Sequence, residues 1–138
     1  LIPAVMRIIR IFDLLQQNDA HVVSDNTGFG TRAADVLIRE DGDPLEAIID
    51  YYFEEKPAAT RQMGTQVERM ERLLDLVKQY KADGVVASRL YMCDLWAFEH
   101  FLMRKRLHEN NVPFLELEVD YTPEGQGQIK DSRSSLEL

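Results

Sequence analysis

A short apolar run, Gly84-Val85-Val86-Ala87-Ser88, stands between two segments of helical periodicity, and that order leaves few folds open. Residues 63–80 place Val67, Met70, Leu73, Leu74 and Val77 on one face of a helix. Residues 95–110 do the same with Leu95, Phe98, Leu102 and Leu107. The run between them is continuously apolar, as a strand covered on both faces of a parallel sheet should be. A further strand reads over Pro113 to Val119. Strand, helix and strand in that order make a unit whose two strands run parallel, with a right-handed crossover.

The first half of the chain repeats the alternation less clearly. Residues 3–17 form an amphipathic helix with Val5, Ile8, Ile9, Phe12 and Leu15 inward and Pro3 in its first turn. His21-Val22-Val23-Ser24 reads as a strand, and Asp25 to Gly30 as a loop rich in turn formers. Thr31 is placed to cap a helix over 32–39. Asp43 is placed to cap the next, with Pro44 at its first position and Leu45, Ile48, Ile49 and Tyr52 as its apolar face. A linker around Pro57 covers 54–60. The expected class is α/β: a small doubly wound, flavodoxin-like, three-layer domain with a mostly parallel sheet, lacking its first strand. The chain begins on a helix where such a unit places a strand, so a fragment of a larger subunit is expected. That domain covers 1–123. Residues 124–138 form a polar tail, part of it appended sequence from 131 on.

Composition bounds the function. The 138 residues suffice for one domain, and 45% hydrophobic with 29% charged residues excludes a disordered or collagen-like chain. The net charge of −8 argues against a dedicated binder of nucleic acid or anionic membrane. A single cysteine excludes an internal disulfide and any complete cysteine metal site within the chain. No apolar run reaches the roughly 20 residues of a membrane span, and Arg7, Arg10 and Asp13 interrupt the only stretch placed to be a signal peptide. A reducing, cytoplasmic location is the expectation.

In open parallel sheets ligands gather beyond the carboxyl ends of the strands. Here that edge holds residues 25–31, 89–94 and 120–128. Cys93 is the most informative residue, just past a strand and just before a helix, where the helix end favours a thiolate suited to nucleophilic attack or iron ligation. A small buried hydrophobe is the alternative. Asp94 beside it opposes the thiolate and is placed to cap the helix. His21, His100 and His108 have no clear claim as a base for it. Glu99-His100 and His108-Glu109 read as exposed polar pairs, not metal ligands. Trp96, Phe98 and Phe101 read as core or interface. Arg104-Lys105-Arg106 offsets a helix dipole. Gly28-Phe29-Gly30-Thr31-Arg32-Ala33 fits the pattern of a dinucleotide pyrophosphate seat, yet it lacks the following acidic residue on a strand, and a plain flexible turn is the favoured reading. Arg32 is either a phosphate or carboxylate partner at a helix start or a solvated charge. Tyr121 to Gln128, with Gln126 and Gln128 as amide donors, is a ligand loop or a surface loop.

Four stretches carry a resemblance that spans residues 1–130. They are Val23 to Arg32; Asp43-Pro44-Leu45-Glu46-Ala47; Ala82-Asp83-Gly84-Val85-Val86 leading to Met92-Cys93-Asp94-Leu95-Trp96; and Val112-Pro113-Phe114-Leu115 through Glu118-Val119-Asp120-Tyr121 to Gly127-Gln128. The last two are the specific ones. The chain resembles the carboxy-terminal domain of subunits in the 2-hydroxyacyl-CoA dehydratase and benzoyl-CoA reductase family. The resemblance implies two flavodoxin-like domains facing across a cleft, with a 4Fe-4S cluster held by three cysteines, two from the earlier domain and one from the later. It implies a second dehydratase or reductase subunit, an ATP-dependent activator that delivers a low-potential electron, and an acyl-CoA substrate. In the dehydratases that electron enters the thioester carbonyl of a 2-hydroxyacyl-CoA, giving a ketyl radical that expels the hydroxyl; in the reductases it enters the ring of benzoyl-CoA. Cys93 matches the later-domain ligand and Arg32 a cleft arginine that meets substrate. The domain with the other two cysteines is absent from this sequence, so this chain alone is expected without cluster and inactive, and prone to self-association through uncovered apolar surface. Two other classes stay open: a nucleotide- or flavin-binding module built on residues 25–33, and a non-catalytic interaction domain.

Overall fold

The computed structural model describes residues 9, 11–28, 30–33, 36–56 and 64–119. The chain divides into two compact units, residues 1–57 and 58–138.

In the second unit the expected strand–helix–strand order is observed. Helix α2 (Gln66–Tyr80) leads to strand β1 (Val85–Leu90), helix α3 (Asp94–Glu109) and strand β2 (Phe114–Val119). The strands pair in parallel from Val85 against Phe114 to Leu90 against Val119. Hydrogen bonds from Val85 N–H to the Pro113 carbonyl and from Tyr91 N–H to the Val119 carbonyl, both 2.9 Å, carry the ladder past each end. Lys81 ends α2 in the left-handed conformation at φ 51°, and Ala82 N–H bonds the Val77 carbonyl at 3.0 Å, closing the last turn. The chain is thus a small α/β protein with a parallel sheet. Among the described residues that sheet has two strands, not three.

The core of this unit differs from the periodicity in an instructive way. On α2, Met70 and Leu74 are buried as expected, while Val67 is exposed. On α3, Leu107 is 1% exposed, but Leu95 and Phe98 face solvent and Phe98 is 58% exposed. The inward positions are Glu99 at 2% and His100 at 1%. The reading of that pair as exposed is therefore wrong. Burial is tolerated because each has a partner across the interface: Arg69 of α2 meets Glu99, and His100 packs between aromatic rings. β1 is not covered on both faces either. Its burial alternates and Val86 is exposed, whereas on β2 Leu117 and Val119, which share the Val86 face, are buried.

In the first unit, residues 11–16 are helical and bury Ile11 and Leu15, one turn apart, whereas Ile9 is exposed. Val5 and Ile8 lie outside the described residues. Val22 and Val23 are exposed and irregular rather than a strand: branched side chains suit a sheet only where a neighbouring ladder receives them. In place of a helix over 32–39, a single 3-10 turn spans Thr31–Ala33, and residues 36–40 are irregular. Helix α1 (Pro44–Asp50) starts as expected. Asp43 accepts hydrogen bonds from the Leu45 and Glu46 amides at 2.7 and 3.2 Å, with Pro44 first. It passes into a π-helical turn, Tyr51–Glu55. Its buried residues are Ala47 and Tyr51, and the expected apolar face of Leu45, Ile48, Ile49 and Tyr52 is exposed. The linker beyond 56 and the tail from 120 on, including Gln126 and Gln128, lie outside the described residues. No described helix is long and apolar enough to cross a membrane.

Candidate functional site

Cys93 is placed by a tight turn. After Leu90 the chain reverses through Tyr91 and Met92, and the Leu90 carbonyl accepts the Cys93 N–H at 3.1 Å. Met92 takes the left-handed region at φ 59°, an uncommon state for a residue with a Cβ, so the turn is held by its surroundings. Cys93 then occupies the capping position of α3, and its carbonyl accepts the Ala97 N–H at 2.9 Å. Its side chain makes no capping hydrogen bond. The thiol is half-buried and free. Asp94 is the first helical residue and not the cap. The expected position, beyond the carboxyl end of a strand and at a helix start, is the one observed.

Between α3 and the sheet lies a polar cluster that helical periodicity does not reveal. Arg89, next to last in β1, places its Nε 2.5 Å from Glu116 Oε1 of β2, and its Nη2 pairs with Glu118. Arg104 of α3 reaches Glu116 Oε2 at 2.6 Å. His100 Nδ1 stands 3.4 Å from Glu116 Oε1, without the alignment of a hydrogen bond. The His100 ring stacks edge-on against Trp96 and Phe114, at 5.8 and 6.0 Å between centroids. The basic run Arg104 to Arg106 does more than offset a dipole. Arg104 joins this cluster, and Arg106 pairs with Glu71 of α2. Strand period was the available signal: Glu116 and Glu118 alternate along β2, so they share the face on which Arg89 lies in β1.

Each charge in the cluster follows its neighbours. Arg89 is held above its ordinary value, first by its hydrogen bond to Glu116 against the opposing pull of burial, with the charges of Glu118, Glu116 and Cys93 adding. Burial tends to raise Glu116, but hydrogen bonding to Arg89 and the neighbouring His100 outweigh it, and its carboxyl titrates below the usual range. Burial lowers His100, which favours the neutral imidazole, and Glu116 opposes this only in part.

The loop at 25–33 has a different character. The Asp25 carboxylate accepts the amide and hydroxyl of Thr27, at 3.0 and 2.9 Å, and the Thr31 amide at 3.3 Å. The Thr31 hydroxyl donates to the Asp25 carbonyl, so Thr31 closes the loop instead of capping a helix. A Cβ on Gly30 would collide with the Asp25 carboxylate and lie 2.6 Å from Thr27 Oγ1. The donors of a pyrophosphate seat are thus occupied by a negative side chain. Arg32 is half-buried, its Nη2 3.1 Å from where a Cβ on Gly28 would stand. Arg32 and Cys93 belong to different units. His21 and His108 are exposed, and among the described residues no group of three or more His, Cys, Asp or Glu side chains is arranged to hold a metal ion.

A family model, that of the 2-hydroxyglutaryl-CoA dehydratase D-component, matches residues 2–132, which include both the Asp25 loop and Cys93. The chain belongs to that family. Curated relatives agree. YjiM of Escherichia coli (strain K12), which carries a dehydratase-subunit name, is 25% identical over 121 residues, 87% of this chain and 31% of its own length. The (R)-phenyllactyl-CoA dehydratase beta subunit of Clostridium sporogenes is 22% identical over 114 residues, 80% of this chain and 29% of its own. The chain therefore spans about a third of the length of these two curated relatives, 31% and 29%.

Proposed function

We propose that this chain is the cluster-binding part of a 2-hydroxyacyl-CoA dehydratase subunit, a lyase, working in the cytoplasm. Cys93 would supply one thiolate to a 4Fe-4S cluster. The observation that carries the reading is the half-buried thiol outside any disulfide at the capping position of α3, making no capping hydrogen bond, at the edge where parallel sheets bind ligands. One thiolate fits one corner of such a cluster, and the remaining ligands belong to the rest of the full-length protein. When bound, the cluster supplies single electrons to the acyl thioester. Dehydratase names among the relatives favour dehydration over ring reduction. A partner subunit follows from their subunit names, and an ATP-dependent activator from the need for a low-potential electron.

The chain's own residues have definite tasks in this reading. The Leu90–Cys93 turn fixes where the thiolate stands. Arg32 supplies a guanidinium on the Gly28 loop for a phosphate or carboxylate of the acyl-CoA. The nucleotide-module alternative is disfavoured by the carboxylate of Asp25 within its seat.

The test uses the full-length subunit with its partner, purified without oxygen. Iron and acid-labile sulfide per subunit are compared between wild type and Cys93→Ser. Loss of the cluster in the variant is the expected result, and an unchanged cluster removes Cys93 from ligation. Arg32→Ala in the same complex is expected to raise KM for the acyl-CoA at least several-fold with the cluster intact; an unchanged KM removes Arg32 from the substrate site.

A further inference from the structure

Helix α3 carries its polarity inside out. A helix on the surface of a domain normally turns its apolar side inward and its charges to water. Here the inward side holds Glu99, paired with Arg69 of α2, and His100, packed against Phe114 of β2. Arg104 and Arg106 turn their charges to Glu116 and Glu71 of the same unit. The other side is apolar. Leu95, Phe98 and Phe101 follow one another at intervals of three residues, so they are neighbours along the helix, and all three are exposed. At 3.6 residues per turn, each phenylalanine stands roughly 150° round the helix from the midpoint of Glu99 and His100. Tyr91 and Met92, in the turn before α3, are exposed as well. Asp94 and Lys105, both exposed, stand at the two ends of the stripe. An apolar centre with a polar rim is the anatomy of an interface.

What covers this side follows from length. The matched stretches are 31% and 29% of the two curated relatives, so more than two thirds of each lies outside them. A segment of the same polypeptide meets such a face at an effective concentration of up to about millimolar, without the translational and rotational cost that a separate protein carries. We propose that Leu95, Phe98 and Phe101, with Tyr91 and Met92, form a docking surface buried against the part of the full-length subunit that lies outside residues 1–138. The segment that docks there presents a complementary apolar face. Docking needs no iron at Cys93, so failure of the ligand reading leaves it standing.

The test uses the full-length subunit, with and without its partner. The photoreactive residue p-benzoylphenylalanine replaces Phe98, or Phe101 in a second variant, and the cross-linked peptides are mapped after irradiation. The expected result is a cross-link to peptides of the same polypeptide outside residues 1–138. It should form without the partner subunit and run at the mass of one subunit under denaturing conditions. Cross-links confined to the partner subunit, to a second copy at twice the subunit mass, or to residues 1–138 overturn the proposal, as does a folded variant with none. Should neither variant fold, hydroxyl-radical labelling of the unsubstituted subunit decides. Met92, Phe98 and Phe101 should be labelled several-fold more slowly in the native subunit alone than in urea, independently of dilution. Labelling at the unfolded rate, or protection that appears only with the partner or at high concentration, overturns it.

Discussion

The loop at 25–33 and the turn at 90–93 meet the same description in sequence, each following a short apolar run and preceding a helical start. Their polar atoms are disposed in opposite ways. In the first, the Asp25 carboxylate takes the amides of Thr27 and Thr31, and Gly30 is glycine because a side chain would meet that carboxylate. The loop is satisfied from within. In the second, the charged groups of β1, β2 and α3 satisfy one another, Arg89 and Arg104 with Glu116 and Glu118, while the Cys93 thiol makes no capping bond. A glycine-rich turn reads as a ligand seat only if no acidic residue inside it can fill the seat first.

The largest effect that could break this contrast lies under α3. Arg69 and Glu99 form an ion pair buried between α2 and α3, with Arg69 Nη1 also donating to Thr65. Removing one partner leaves a charge without compensation, which costs about 3–5 kcal/mol. Glu99→Ala should therefore lower the stability of the full-length subunit by that order in urea unfolding. A loss below about 1 kcal/mol would mean that α3 is not held against α2 by this pair. Next in size is Gly30→Ala, which should cost roughly 1–3 kcal/mol by forcing Asp25 or Thr27 aside. Amide hydrogen exchange at Thr27 and Thr31 should accelerate, and unchanged exchange would show that Asp25 does not close the loop.

Much of the β1–α3–β2 arrangement was legible because strand runs and helical periods alternate there with little ambiguity. The buried face of α3 was not. Periodicity marks apolar residues, and the inward positions of this helix hold Glu99 and His100, whose burial depends on partners distant in sequence: Arg69 on another helix and Glu116 on a strand. Nothing within a helical window announces such pairs. The Arg89 clamp joins two strands, and the alternation of Glu116 and Glu118 was the one local sign of it. Likewise Val22 and Val23 have strand composition, but a strand forms only with a ladder beside it. Cys93 was found because its place follows from local order alone.

Acidification tests the neutral His100 of α3, which packs against Phe114 of β2. Burial depresses its pKa, so the folded state binds a proton less readily than the unfolded chain, which titrates near 6.5. Stability is full above about pH 6.5 and falls as pH drops from there through the lowered folded value. Glu116, also depressed, adds a second loss at lower pH, below its ordinary 4.5. The groups facing His100 are Glu116, Arg89 and Arg104, and the two arginines oppose its protonation. His100→Phe should flatten the stability profile just below about pH 6.5 in the full-length subunit. A slope that survives would assign the acid sensitivity to other groups.

The smallest effect belongs to the first region and isolates its local character. Asp43 caps α1 through two amides, and α1 has only seven residues, of which Ala47 alone is buried. Such a short helix has little packing of its own to hold it, so its start depends on the cap. Asp43→Ala should cost about 1 kcal/mol, and Asp43→Asn, which keeps an accepting oxygen, much less. Exchange at the Leu45 and Glu46 amides should rise in the alanine variant and stay near wild type in the asparagine one. If both variants exchange alike, the charge of Asp43 rather than its hydrogen bonds holds the helix start. The first region would then depend on charge, as the Arg89 clamp does, and the contrast between the two would narrow to the presence or absence of a free thiol.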